Sequence, residues 1–278
     1  METARAAAPC SDRLRKRLRG VEKMSFAVAH EDVSLASVMQ RDRKRHRRTA
    51  MIVGVLYIIG TVAGVLSGLI SMPVLKAPDY LARISANDNP IVLCALLVLT
   101  MGFALALIPV LLFPILRKYN EALALGYVVF RGALEMVCYL AMAICWFFLI
   151  QVSRESAGAG ASNLAYLQSL GAVFLKGNDS INNILVIVFS LDALMLYSLL
   201  YRSHLVPRWI PVWGFIGILL HFSTAHFMMF RILDSDSLTF INLPILIQEI
   251  VMAVWLMVKG FGPTAITPTE RVQKEVLR

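Results

Sequence analysis

Charged residues are scarce in this chain. They make up 16% of its 278 residues, whereas 58% are hydrophobic; an ordinary soluble domain carries about 25% charged residues. The shortage is uneven, because long uncharged runs alternate with short charged islands. A membrane-crossing helix needs about 20 mostly apolar residues, and no single soluble core needs so many runs of that length. Cysteine is sparse too. Cys10, Cys94, Cys138 and Cys145 are the four present. Three of them sit inside apolar runs, so they read as small buried hydrophobes and not as a disulfide framework. No Walker loop, HExxH or GxSxG occurs in a fitting context, which counts against an enzyme. His221 and His226 are five apart, about 140° around a helix, so they form no same-face metal-binding pair. The sequence assigns no metal ligand and names no cofactor.

What the chain does have is positive charge, concentrated at one end. Thirteen of its 27 Lys and Arg residues lie in residues 1–48. No aromatic interleaving or nucleic-acid motif accompanies them, so no nucleic-acid partner is expected. The block reads as a topology signal and an anchor for anionic lipid headgroups beside the first span. With little apolar surface to bury, it is expected to be a poorly ordered tail.

Beyond it the expected architecture is all-α: a polytopic bundle of six transmembrane helices over residues 49–260, then a short tail over 261–278. The expected spans are Thr49–Met72, Ile91–Leu116, Ala122–Ile150, Asn182–Tyr201, Ile210–Phe230 and Phe240–Val258. Gly60, Gly64 and Gly68 share one face of the first span, a small-xxx-small ridge that lets a neighbouring backbone approach. Pro109 and Pro114 should kink the second. Leu164, Leu167, Leu170 and Phe174 recur at helical spacing before the fourth, which predicts a short helix on the membrane surface. Basic residues set the orientation. With the N-terminus inside, eight further Lys and Arg fall in inner loops and the C-terminal tail, and five in the longer outer loops. Both termini are therefore expected in the cytoplasm, with the protein in the plasma (inner) membrane. Trp209 and Trp213 fit an inner interfacial belt, and Trp146 an outer one.

Three stretches have a familiar look together: Ala122–Glu135 (ALALGYVVFRGALE), Leu200–Gly214 (LYRSHLVPRWIPVWG) and Asn242–Phe261 (NLPILIQEIVMAVWLMVKGF). The chain from Thr49 to Phe261 resembles the bacterial multi-pass family catalogued as domain of unknown function 4386. The resemblance carries over to Arg131, Glu135, Pro207, Arg208, Trp209, Gln248, Glu249 and Trp255. Asp192 departs from it, standing where a small or apolar residue is expected. It implies a helical membrane fold and supplies no activity.

Ionisable groups at membrane depth cost at least about 2.5–3.5 kcal/mol each, so they are rarely idle. Glu135, Asp192, His221 and Glu249 each fall within about one residue of the centre of their own span, and Arg131 lies one turn from Glu135 on the same face. These five are expected to converge inside the bundle, as a binding site or as a structural network. Glu249 is the first candidate partner for Arg131, because the Arg-then-Glu order is the less favourable one within a helix. Three carboxylates against one fixed cation leave two negative charges to be met by protons, by imidazolium or by a bound cation. The leading functional expectation is transport of a small solute or ion through this cluster; the sequence does not name the ligand, and it contains no evident inverted repeat. The alternatives are an intramembrane metal-assisted hydrolase and a non-catalytic sensor or assembly protein.

Overall fold

A computed structural model of the protein describes residues 8–230, 232 and 235–262. The chain divides into two compact units, residues 1–46 and 47–278. Helix α1 (Ala8–Leu75) supplies the first unit and the first span of the second. The described part of the basic segment, from Ala8, has a helical backbone. Its Ala, Arg, Lys, Leu and Met residues are all good helix formers, and propensity needs no buried surface to act. Most of the C-terminal tail (residues 263–278), and Arg231 and Asp234 of the last expected outer loop, lie outside the described residues.

The second unit continues through α2 (Tyr80–Ala86), α3 (Asn89–Leu116), α4 (Glu121–Tyr127), a π-helical segment (Val128–Leu134), α5 (Glu135–Ser156), α6 (Ala161–Ser203), α7 (Trp209–Met229) and α8 (Ser235–Val258). Among the described residues, six helices are long and apolar enough to cross a membrane: Gln40–Leu75, Asn89–Leu116, Glu121–Ser156, Ser162–Ser203, Trp209–Met229 and Phe240–Val258. Large apolar side chains cover their outer faces, Leu69, Phe103, Val137, Ile216 and Leu219 among them. An apolar exterior on that scale would be an aggregation liability in water and is the surface a bilayer requires. The protein is a multi-pass membrane protein.

Two features differ from the sequence expectation. The predicted surface helix and fourth span are one continuous helix, α6, of 43 residues. Neither proline nor another break interrupts it, and the Leu167–Leu170–Phe174 stripe packs on the core instead of lying on lipid. At about 1.5 Å per residue α6 is about 64 Å long, roughly twice the hydrocarbon thickness, so one end must project beyond the membrane. There Phe174 meets Phe148 of α5 at 5.4 Å between ring centroids, and the Tyr80 hydroxyl of α2 donates to the Gln168 carbonyl at 3.4 Å. Trp146, expected in an interfacial belt, is instead buried at 6% exposure.

The glycine ridge is only partly used. A Cβ on Gly60 would meet the Leu105 side chain and one on Gly64 the Met101 sulfur, both on α3; none of the described atoms lies within 4 Å of that position at Gly68. Side chains of α3, not its backbone, fill the groove. Close backbone approach occurs elsewhere. A Cβ on Gly54 would stand 2.6 Å from the Ala253 carbonyl oxygen of α8, and one on Gly217 of α7 would stand 3.2 Å from Ile245 backbone atoms, also on α8. Between α1 and α3, Ser67 and Cys94 exchange bonds reciprocally: the Ser67 hydroxyl donates to the Cys94 carbonyl (3.3 Å) and the Cys94 thiol to the Ser67 carbonyl (3.4 Å).

Candidate functional site

Arg131 is the pivot. It lies in the π-helical segment, where the wider turn closes with the Glu135 N–H donating to the Phe130 carbonyl, five residues back. Segments of this kind are rare within α-helices and occur frequently at functional sites. Asn120 starts the helix upstream, its side chain accepting from the Leu123 N–H at 3.0 Å. The Arg131 side chain then enters the bundle interior, 1% exposed.

Three carboxylates from three helical elements surround the guanidinium. Nη1 stands 3.3 Å from Asp192 Oδ1 on α6, Nη2 stands 3.5 Å from Glu249 Oε1 on α8, and Nε stands 3.8 Å from Glu135 Oε2 on α5. The first two are long hydrogen bonds; the third is an ion pair without one. Two aromatic faces complete the enclosure: the guanidinium carbon is 5.3 Å from the ring centroids of both Tyr57 (α1) and Phe189 (α6). A guanidinium stacks on aromatic faces more readily than an ammonium does, so arginine suits this box.

An outer ring of hydrogen bonds holds the members in place. The Tyr139 hydroxyl donates to Glu135 Oε1 at 2.7 Å, one turn along α5. The Tyr57 and Tyr127 hydroxyls are paired at 3.4 Å. Next to Glu249, the buried Gln248 accepts from the Tyr197 hydroxyl at 2.8 Å and donates to the Ile210 carbonyl at 3.2 Å, tying α8 to α6 and α7. Tyr197 can reach it because its ring lies against Gly214, where a Cβ would be 2.7 Å from ring carbons. Gln248 and Glu249 are about 100° apart on their helix, so one faces the α6–α7 seam while the other faces Arg131.

Of the five residues expected to converge, Arg131, Glu135, Asp192 and Glu249 meet. His221 does not join them. Its Nδ1 pairs with Asn242 Oδ1 at 2.7 Å, and its ring stands edge-on to Phe189 with centroids 5.3 Å apart. Phe189 therefore separates the imidazole from direct contact with the ions while touching both. His226 is occupied locally, 3.0 Å from the Phe222 carbonyl. Among the described residues no three His, Cys, Asp or Glu side chains gather as a metal-ligand set; the carboxylates converge on a guanidinium instead. Tyr57, Tyr139 and Phe189 escaped the sequence reading, because aromatic residues in apolar spans give no signal of which way they face.

Chemically, the cluster is unbalanced. Glu135 Oε2, Asp192 Oδ2 and Arg131 Nε are buried without a hydrogen-bond partner. An uncompensated buried ion costs several kcal/mol, and one guanidinium offsets one carboxylate. The other two must be neutralised by protons or by a cation.

The remaining positions that the resemblance carried over lie together at the α6–α7 turn. His204 ends α6 in the left-handed conformation (φ 53°). Arg208 Nη2 is 3.0 Å from His204 Nε2, and its guanidinium carbon is 5.2 Å from the centre of the Tyr201 ring. Trp209 stacks with Trp213 and meets Trp255 of α8 edge-on, both with centroids 6.4 Å apart.

The family model described as "Domain of unknown function (DUF4386)" matches residues 52–260. No curated protein and no solved structure matches the chain.

Proposed function

The chain belongs to the DUF4386 family, and from that premise we propose that it is a membrane carrier for a small solute or ion, working through a change in the charge of the Arg131–Glu135–Asp192–Glu249 cluster. The observation that carries this reading is one guanidinium enclosed by three carboxylates, two of whose oxygens are buried without partners. A network kept only for rigidity gains nothing from two surplus acids, and well-packed apolar residues would be equally stable. A site that takes up and releases protons or cations needs such a surplus. The cluster draws on four helical elements, so a shift of any one changes its balance.

The orientation we propose places both termini in the cytoplasm, with the basic segment against the anionic lipids of the plasma membrane. Reporter fusions after residues 118 and 260 should be active in the cytoplasm only; periplasmic activity at either position would reverse this topology.

The function is tested in proteoliposomes carrying a pH-sensitive dye and challenged with sodium, potassium and a panel of small solutes across an imposed pH gradient. Solute or ion movement above that of protein-free vesicles, lost in a folded Glu249→Gln variant, is the expected result. Flux indistinguishable from empty vesicles over the whole panel, with folding verified by circular dichroism, would overturn the reading.

A further inference from the structure

The three carboxylates of the cluster are not equivalent. Glu135 has a charge-stabilising environment of its own: Tyr139 donates to Oε1 at 2.7 Å, and Arg131 lies one turn away, 3.8 Å from Oε2. That makes it the resident anion. Asp192 is sealed. Its side chain is 0% exposed, and the acid beside it is Glu135, so any proton it gives up stays within the cluster. Glu249 differs from both, because 15% of its side chain is accessible while Oε1 stays 3.5 Å from Arg131 Nη2. Of the three acids it alone contacts the guanidinium and keeps an accessible edge.

We propose that Glu249 is the group through which the cluster exchanges a proton with its surroundings, Arg131 being the fixed counter-cation. The proposal rests on the reading of the cluster as a working site, and it names the ligand of that site as the proton. In the exchange the O–H bond of the Glu249 carboxyl breaks and the proton passes to a water molecule admitted at its accessible edge. The carboxylate left behind is held by Arg131 Nη2, which it already contacts, so no side chain need move far to receive the charge. The groups facing this exchange from the packed elements are Tyr57 on α1, Arg131 in the π segment, Glu135 and Tyr139 on α5, and Asp192 and Tyr197 on α6. His221 on α7 is engaged by Asn242 of α8, the helix that carries Glu249.

Carbodiimides react with protonated carboxyls, and the lipophilic dicyclohexylcarbodiimide reaches acids inside membranes. The full-length protein in lipid nanodiscs is treated with it between pH 5.5 and 9, and adducts are located by peptide mass spectrometry. The expected result is one adduct, on Glu249. Its rate should fall about tenfold per pH unit above the midpoint of the titration, return in Glu249→Asp and vanish in Glu249→Gln. An adduct on Asp192 or Glu135 in place of Glu249, no adduct at all, or labelling that ignores pH would each overturn the proposal. Labelling without flux in the vesicle assay would retire the carrier and keep the exchange group; flux without labelling would do the reverse.

Discussion

The protein contains the same chemistry in two settings. At the edge of the bundle, Arg154 Nε donates to Asp88 at 2.9 Å and Arg83 Nε to Asp79 at 2.8 Å, with both arginine side chains more than half exposed. In the interior, Arg131 meets its carboxylates at 3.3–3.8 Å with almost no exposure. The shorter pairs are the weaker ones. Water and salt screen the edge pairs, and their measured worth is near zero to about 1 kcal/mol. The interior contacts are looser but largely shielded from water and salt, so the penalty for breaking them is set by desolvation and not by distance. In a membrane protein the length of an ion pair says less about its importance than its depth does.

The largest effect that could break this comparison is at its centre. Arg131→Met should destabilise the protein by about 3–5 kcal/mol, the cost of stranding a buried charge, read as a lower thermal midpoint in detergent. Adding Glu249→Gln should recover part of the loss, and an unchanged midpoint in the single variant would mean that the cluster carries no ionised acid. Tyr139→Phe should cost about 1.5–3 kcal/mol by the same measurement, the range for a hydrogen bond to a charged group; a neutral result would indicate that Glu135 is not the anion. Packing gives a control in which charge plays no part. Gly54→Ala places a methyl 2.6 Å from the Ala253 carbonyl and should cost about 1–3 kcal/mol, whereas Gly68→Ala, facing open space, should stay within about 0.5 kcal/mol. The smallest effect belongs to the edge. Asp88→Asn should cost less than about 1 kcal/mol and less still in high salt, and a salt-insensitive loss of several kcal/mol would erase the contrast.

The sequence made the depth of the polar groups legible but not their rotation about the helix axes. Hydropathy locates all six spans, because length and composition alone decide them. The cost of burying charge then predicts that Arg131, Glu135 and Glu249 find one another. Asp192, the member that departs from the family pattern, makes the shortest contact with Arg131. His221 shares the depth of the cluster but lies on α7, and the facing residue there is Asn242, whose place opposite it no periodicity reveals. Gly60 and Gly64 do pack, but onto side chains, since a ridge of glycines does not specify what enters it. The fusion of the surface helix with span four follows from a missing break, and an absent signal is easily read as a loop when the residues there are polar. Cooperative helix extension, favourable once a nucleus exists, fills such a stretch.

The wide turn at Val128–Leu134 amounts to one residue more than an even helix would hold, and this gives the chain an unusual response to deletion. Removing a single residue there would let the helix run with ordinary spacing, restoring backbone bonds that the bulge forgoes. Residues from Glu135 onward would keep nearly the same phase relative to Tyr127, because a wide turn absorbs its own extra residue, whereas residues inside the segment, Arg131 among them, would be re-aimed. A chain shortened in this way should keep its helicity by circular dichroism and still lose the alignment around Arg131. The extra residue therefore sets where Arg131 points while leaving the two halves of this span in phase.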